Sequence, residues 1–489
     1  MGRKRVAIIG AGLGGITAAI KLQEAGFSDI QMFDRNDRVG GTWAENTYPG
    51  CQCDVPVALY QLSFAQSVNW TRLFPSSPEI QAYAEEIVDR YQLRPKIRLS
   101  DPVRSAVWSD ESKTWTVTTE SGHTMEADAV IGALGQLNRP KWPEIQGRDR
   151  FAGASMHSAR WDHSVDFEGK RVGVIGCAAS AVQLIPELAK VAGHLTVFQR
   201  SANWLLPRND RAVPPEELAL MMTEPETAMA LGAANRKMIY DTADHYFWQA
   251  FSWTPEGRAA YTRLATDHLD AQVSDPDLKA KLTPDYPIGC RRILYCDDYY
   301  PCLKEDHVSL VTDGIERIVP EGVVTADGAT HDFDIIVYAT GFETTEWKWS
   351  LDMVGQDGLH LNDAWSPTPE AYLGITVSGF PNLFVLYGPN TNLGHNSITF
   401  MLERQVEYAV KALQALEAKD ARAMAPSRAA QERFNAELQA DLDKTVWADP
   451  ACNSWYKTAD GKITQNWSGH TRAFEAAVAE VNLDDYVIL

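Results

Sequence analysis

The chain has 489 residues, room for two or three domains of ordinary size. Apolar residues make up 45% and charged residues 22%, the balance of a globular protein. The 45 Lys and Arg against 65 Asp and Glu give a formal net charge of -20. That excludes a broad phosphate-binding face and argues against nucleic acid as a partner. Any site for an anionic cofactor must therefore be locally basic, and the few arginines near phosphate-binding turns carry information.

The basic N-terminus followed by an apolar stretch loosely resembles a signal peptide, but Gly10, Gly12, Gly14 and Gly15 suit a nucleotide-binding turn better. No run of about 18 apolar residues occurs, so no membrane span is expected. Of seven cysteines none forms C-x-x-C. Neither a dithiol redox site nor a metal site is indicated, and free thiols in a reducing cytoplasm are the expectation.

In chain order, residues 5–10 read as a short buried strand, Ile16–Ala25 as a helix ending at Gly26, and residues 30–34 as the next strand. The βαβ pattern returns with a strand at Arg171–Gly176, a helix at Ala181–Val191 and a strand at Leu195–Gln199. Two such units suggest two dinucleotides. Residues 208–280, rich in Ala, Met, Glu and aromatics, read as a helical insertion within the second domain. Residues 334–342 read as a buried strand ending in a turn, and 401–419 as a helix.

Gly10-Ala11-Gly12-Leu13-Gly14-Gly15 fits G-x-G-x-x-G. The first glycine permits the tight turn, the second lets backbone approach a pyrophosphate, and the third lets helix and strand pack closely. Asp34 ends the next strand, where an acid binds ribose hydroxyls. Gly40-Gly41-Thr42-Trp43 follows, then Tyr48-Pro49-Gly50 and Asp54. This G-G-x-W segment resembles the flavin monooxygenase superfamily. The resemblance implies FAD in the first site, with the ring near Trp43 and Asp54. Thr42 and Tyr60 join Gly41 as candidate FAD contacts. Trp43 as a plain core aromatic is the competing reading.

Gly176-Cys177-Ala178-Ala179-Ser180-Ala181 occupies the second motif's place, with Ala178 where the middle glycine belongs. A methyl group there should push a pyrophosphate slightly outward. Ser180 and Gln183 are candidate nucleotide contacts on this side. Arg200 ends the following strand, where an NAD-specific fold would place an acid. An arginine there suits the 2′-phosphate of NADP, and Ser201 can add a hydroxyl.

Between the two turns, Phe151-Ala-Gly153-Ala-Ser-Met-His157-Ser-Ala-Arg-Trp161-Asp162 fits F-x-G-x-x-x-H-x-x-x-W-[P/D]. This string resembles the fingerprint of Baeyer–Villiger monooxygenases, and the resemblance runs from residue 5 to about residue 456. It implies an α/β fold of two nested Rossmann-like dinucleotide-binding domains with a helical insertion. The expected layout is an FAD-binding domain at 1–145 and 333–489, an NADP-binding domain at 146–207 and 281–332, and the insertion at 208–280. His157 reads either as a catalytic acid or base or as a structural histidine; the structural role is expected.

Gly289-Cys290-Arg291-Arg292 matches the family's G-C-[KR]-R. The resemblance implies Arg291 as a phosphate ligand and Arg292 as the catalytic residue, with Asp54 holding it. The physical case runs in parallel. A C4a-peroxyflavin must stay deprotonated to attack a ketone, and a fixed cation favours that state. Negative charge then develops on the carbonyl oxygen, and fixed donors stabilise it. Bound NADP would shield the reactive centre from water.

Ala339-Thr340-Gly341-Phe342, Gly388-Pro389-Asn390, Gly394-His395-Asn396-Ser397 and Asn453-Ser454-Trp455-Tyr456 match closing motifs of the same family. Trp455 would reach the nicotinamide nucleotide; an ordinary core tryptophan is the other reading. The expected reaction is NADPH- and O₂-dependent insertion of oxygen beside a ketone carbonyl. N- or S-oxygenation is the alternative; Trp161-Asp162 and Arg292 argue against it. The pocket is expected to draw on Trp347, Trp349, Trp447 and Trp455, walls that fit cyclic, aromatic or steroid-like ketones and long aliphatic ones alike.

Overall fold

Two five-stranded parallel sheets dominate the chain. The computed structural model describes residues 4–231, 235–251, 255–344 and 349–489. In the first sheet the order is Leu383–Val385, Ala129–Gly132, Val6–Ile9, Ile30–Phe33, Ile97–Arg98. In the second it is Val308–Val311, His194–Phe198, Arg171–Ile175, Ile335–Tyr338, Ala154–His157. Each motif-bearing strand is buried along almost its whole length, as expected where both faces of a parallel sheet are covered.

The two units repeat one local geometry. Val6–Ile9 leads through the glycine turn into the helix Leu13–Glu24, and Arg171–Ile175 leads into the helix Ala179–Ala189. Gly10 has φ +110° and Gly176 φ +115°, conformations that favour glycine. A Cβ on Gly10 would lie 2.4 Å from the Ala133 carbonyl oxygen, and one on Gly176 would lie 2.4 Å from the Ala339 carbonyl oxygen. Each turn is thus pinned against the neighbouring parallel strand. The Gly10 amide donates to the Phe33 carbonyl at 2.8 Å, and the Gly176 amide to the Phe198 carbonyl at 3.1 Å.

The expected βαβ elements are present with ends shifted by a few residues, and the helix expected at 401–419 spans Ile398–Ala418. Among the described residues of 208–280 the regular elements are helices: Pro215–Met221, Pro225–Ala230, Arg236–Tyr246, Phe247–Ala250, Pro255–Gln272 and Pro276–Leu282. In sequence this insertion interrupts the second nucleotide unit. In space, Leu218, Met221, Tyr240, Phe251 and Tyr261 join the core of the first. Asp244 fastens it there. Its carboxylate accepts from Asn396 Nδ2 at 2.9 Å, from the Thr471 amide at 3.1 Å and from His395 Nε2 at 3.3 Å. Burial would raise its pKa, but these donors outweigh burial and keep it below the usual range.

Two expectations are corrected. The boundary drawn at residue 333 puts the following strand in the first unit; Ile335–Tyr338 instead pairs in parallel with Arg171–Ile175 and with Ala154–His157, in the second. The second correction concerns thiols. Cys290 and Cys452 are disulfide-bonded, with Cα atoms 5.3 Å apart, while Cys51, Cys53, Cys177, Cys296 and Cys302 are free and buried.

His157 is fully buried at the end of its strand, opposite Tyr338. Its Nδ1 accepts from the Ala159 amide at 3.0 Å, and its ring meets Trp142 and Phe342 edge-on. Burial pushes its pKa down to about 4. A neutral, enclosed imidazole locks the linker rather than moving protons. Trp161 stacks on Phe167 with ring centroids 5.2 Å apart.

No described helix is long and apolar enough to cross a membrane. Among the described residues no group of three or more His, Cys, Asp or Glu is placed to hold a metal ion.

The His157 environment sets a pH dependence. Its folded pKa lies below the value of about 6.5 expected in the unfolded chain, so the unfolded state takes the proton first. Its contribution is complete above about pH 6.5 and is lost as pH falls towards 4, about 3 kcal/mol in all. Denaturant melts between pH 7 and 4 should show His157→Gln losing less stability than the parent over that window; equal losses would place the titrating group elsewhere.

Candidate active site

The glycine turn, Asp34 and the segment after Val39 surround one cleft. It is lined by Gly10, Gly12, Asp34, Gly41, Thr42, Trp43 and Tyr60, and its far wall by Leu386, Tyr387 and Trp349. The open space is about 1470 Å³, including the part continuous with solvent. Gly12 and Gly41 close its floor, since a Cβ on Gly41 would lie 3.0 Å from Gly12 Cα. A Cβ on Gly15 would lie 1.9 Å from the Gly10 carbonyl oxygen, so this glycine sets the helix–strand approach. The two elements pack closely there, and the helix N-terminus faces the cleft.

Asp34 is buried and holds the turn as well as facing the cleft. Its Oδ2 accepts from the Ala11 amide at 2.6 Å and its Oδ1 from the Asn36 amide at 2.8 Å. Burial raises its pKa despite those two donors. Trp43 donates through Nε1 to the Tyr60 hydroxyl at 3.0 Å, its ring edge-on to Tyr60. Trp43 is a cleft wall, not an enclosed core residue.

Arg292 and Asp54 form a bidentate pair. Arg292 Nε and Nη2 donate to the two Asp54 oxygens at 2.6 and 2.7 Å. The residues are 238 apart in sequence, and both side chains are partly exposed. Burial would raise the Asp54 pKa; the Arg292 charge and its two hydrogen bonds outweigh that and hold it below the usual carboxylate range. Burial also works against the Arg292 cation, and Asp54 overcomes it, leaving the guanidinium more firmly protonated than a free arginine. Arg292 Nη1 makes no hydrogen bond to a described residue, so the fork is held on one side with donors left on the other. Tyr60 and Tyr387, both lining the cleft, lie within the field of this pair.

A second cluster forms around Arg291. Its Nη1 donates to Ser201 Oγ at 2.7 Å and its Nε to the Asn453 carbonyl at 3.0 Å. Its guanidinium stands 4.3 Å over the Tyr286 ring. Arg200 is exposed beside Ser201, and both arginines lie close enough to Cys177 to act on its thiol. Among the described residues neither arginine is ion-paired. Two unneutralised cations and a hydroxyl beside the second glycine turn make an anion site in an acidic protein. Ala178 has φ -85° and ψ -160°, close to Gly12 at -78° and -175°, so the missing glycine leaves the backbone unstrained.

Not every predicted residue lies open to a cofactor. Ser180 is half-buried in the first turn of the helix Ala179–Ala189. Gln183 is committed to the other unit: its Oε1 accepts from the Tyr48 hydroxyl at 2.8 Å and its Nε2 donates to the Gln52 carbonyl at 2.9 Å. Gly50, with φ +78°, packs where a Cβ would meet the Gln183 carbonyl at 2.5 Å. Trp455 is 39% exposed, which excludes a core role, whereas Trp447 is enclosed and donates through Nε1 to the Gly289 carbonyl at 3.1 Å. Trp447 is therefore core, not a pocket wall. Trp349 lines the cleft, and Trp347 lies outside the described residues. Sequence reasoning missed Tyr387 and the Cys290–Cys452 bond; the signal for the latter is a cysteine within the Gly289-Cys290-Arg291-Arg292 motif and one directly before Asn453.

Comparison with known proteins places this geometry. A family described as pyridine nucleotide-disulphide oxidoreductase matches residues 7–215. A Baeyer–Villiger monooxygenase of Streptomyces coelicolor is 40% identical over 486 residues, 99% of this chain and 92% of the relative. One of Pseudomonas aeruginosa is 37% identical over 99% of this chain and 91% of its own length. Among solved structures, an oxidized steroid monooxygenase bound to NADP superposes with TM-score 0.87 at 31% identity, covering 100% of this chain and 99% of that one. A closed cyclohexanone monooxygenase does so with TM-score 0.87 at 29% identity, with the same coverage. With a relative at 40% identity over 99% of this chain and 92% of its own length, the chain belongs to the Baeyer–Villiger monooxygenases.

Proposed function

We propose that Arg292, held by Asp54, is the catalytic cation of an NADPH- and O₂-dependent Baeyer–Villiger monooxygenase acting on a ketone. The observation that carries this reading is the bidentate pair itself, with Nη1 left without an acceptor among the described residues. The cleft beneath Gly10, Gly12 and Gly41 fits FAD, because its glycines leave backbone exposed where side chains would block a pyrophosphate. Arg200, Ser201 and Arg291 fit the 2′-phosphate of NADP, because neither arginine is ion-paired among the described residues and Ser201 adds a hydroxyl. A relative solved as a complex with FAD and NADP, 27% identical over 99% of this chain, supports both assignments.

When bound, FAD reduced by NADPH supplies the activated oxygen. The protein's part is placement and electrostatics. Asp54 fixes the guanidinium plane, so no side-chain freedom is lost when substrate binds. Arg292 Nη1 donates to the ketone oxygen, which gains negative charge as its carbon is attacked. A permanent cation also keeps an attacking oxygen deprotonated, which separates ester formation from N- or S-oxygenation. Gln183 ties the second unit's helix to residues 48–52, steadying the segment that leads to Asp54.

Two substitutions test the assignment. Arg292→Ala, incubated with FAD, NADPH and a panel of cyclic, aromatic and linear ketones, should keep its flavin yet lose ester formation by about 100- to 1000-fold. Esters at the parent rate, or N- and S-oxides alone, would overturn it. Arg200→Ala should raise the KM for NADPH by about tenfold, equivalent to about 1.4 kcal/mol, with kcat little changed. An unchanged KM would remove Arg200 from the nucleotide site.

A further inference from the structure

The Cys290–Cys452 bond joins two segments that the proposed site needs side by side. Cys290 directly precedes Arg291 and Arg292, and Cys452 directly precedes Asn453 and the exposed Trp455. The bond spans 162 residues of sequence. Three hydrogen bonds tie the same C-terminal segment down. Trp447 Nε1 reaches the Gly289 carbonyl at 3.1 Å, Arg291 Nε reaches the Asn453 carbonyl at 3.0 Å, and the Val446 amide reaches the Phe251 carbonyl at 2.8 Å. Of these only the Arg291 bond lies beyond Cys452 on the way to Trp455. Asn453 and Trp455 are exposed; the buried Tyr456 anchors the stretch from its far end and the disulfide fixes its near end at Cys452.

We propose that Cys290 and Cys452 are positioning residues whose cross-link sets the affinity for the nicotinamide nucleotide. The inference rests on the reading of Arg291 and Trp455 as nucleotide ligands. Joined, the two cysteines keep residues 452–456 against Arg291, so both sides of the nucleotide site are present before it binds. Reduced, residues 453–455 keep only that hydrogen bond to Arg291 and their anchor at the buried Tyr456, and binding must first order this exposed stretch. The effect falls on KM, because Arg292 and Asp54 are tied to each other and not to Cys452.

The redox step balances with a small-molecule disulfide as oxidant. The thiolate of one cysteine attacks it, expelling one small thiol and forming a mixed disulfide. The other cysteine attacks the protein sulfur, expelling the second small thiol. One S–S bond breaks and one forms, and two protons and two electrons leave the protein. Cys290 and Cys452 are 0% and 2% exposed, so exchange in either direction requires the 446–456 segment to lift. Whatever holds that segment down protects the bond. Nucleotide and cross-link therefore favour each other, as linkage demands.

The test uses the holoenzyme with its FAD bound. The protein is treated with dithiothreitol, with and without NADP⁺, then alkylated, digested and mapped by mass spectrometry. The expected result is a linked Cys290–Cys452 peptide before reduction and slower labelling of both cysteines when NADP⁺ is present. Steady-state kinetics should show the KM for NADPH rising about tenfold on reduction, with kcat within about twofold. Cys452→Ser should carry the raised KM and ignore dithiothreitol; if that variant does not fold, the comparison of oxidised and reduced parent stands alone. Free thiols at both positions in untreated, air-exposed protein, or equal KM values for the two redox forms, would overturn the proposal. Arg291→Ala keeps the two failures apart. An unchanged KM in that variant removes the nucleotide reading, whereas a raised KM with no redox effect removes the cross-link alone.

Discussion

A permanent cation beside a developing negative charge has to be built where water is scarce, and burying an arginine is costly. The Asp54–Arg292 pair resolves that conflict. Two hydrogen bonds of 2.6 and 2.7 Å hold the guanidinium in one plane, and each charge offsets the other's loss of hydration. The partners come from positions 238 residues apart, so the pair exists only if two units of the fold dock accurately. Much of the remaining architecture serves that docking. Gln183 grips Tyr48 and Gln52, Gly50 lets the two backbones meet, and His157 locks the connecting strand without carrying charge.

The same backbone device is used twice to present dinucleotides to this centre. Gly10 and Gly176 adopt nearly the same dihedral and press against equivalent carbonyls, Ala133 and Ala339, on equivalent neighbouring strands. The helix that follows each turn starts within three residues of the glycine, the arrangement that attracts a dinucleotide phosphate. Charge then distinguishes the two sites. The first has the Asp34 carboxylate at the end of its second strand; the second has the exposed Arg200, which forms no ion pair among the described residues. In a chain of net charge -20 such a concentration of cations is local by construction.

What the sequence revealed followed from local physics. Glycine turns, short buried strands and the helices after them are set by residues within about 30 positions, and both βαβ units were legible. The arginine pair and its carboxylate were legible through motif resemblance. Contacts between distant residues were not. Ile335–Tyr338 reads as a buried strand, but nothing local says which sheet receives it. The sheet of Val103–Ser109, Thr114–Thr119 and Thr124–Ala127, which Asp352–Val354 joins in parallel, is not assigned from the sequence: Val103–Ser109 lacks clean alternation, and the alternation of the two shorter strands does not say what they pair with. Cys290 pairs across 162 residues, which spacing cannot reveal. Trp447 and Trp455 look alike in sequence, yet one is core and the other exposed. Gln183 illustrates the same limit: its place on the helix was readable, but not that Tyr48 and Gln52 would engage its amide.

If Asp54 acts by holding Arg292, the two residues contribute as one unit. The most direct measurement is a double-mutant cycle on the rate of ester formation, comparing the parent, Asp54→Ala, Arg292→Ala and the double variant, each with FAD bound. The account predicts strong non-additivity, with the double variant no slower than Arg292→Ala alone. Additive losses, with the double variant slower by the product of the two single effects, would show that Asp54 acts independently of Arg292 and would contradict the central claim.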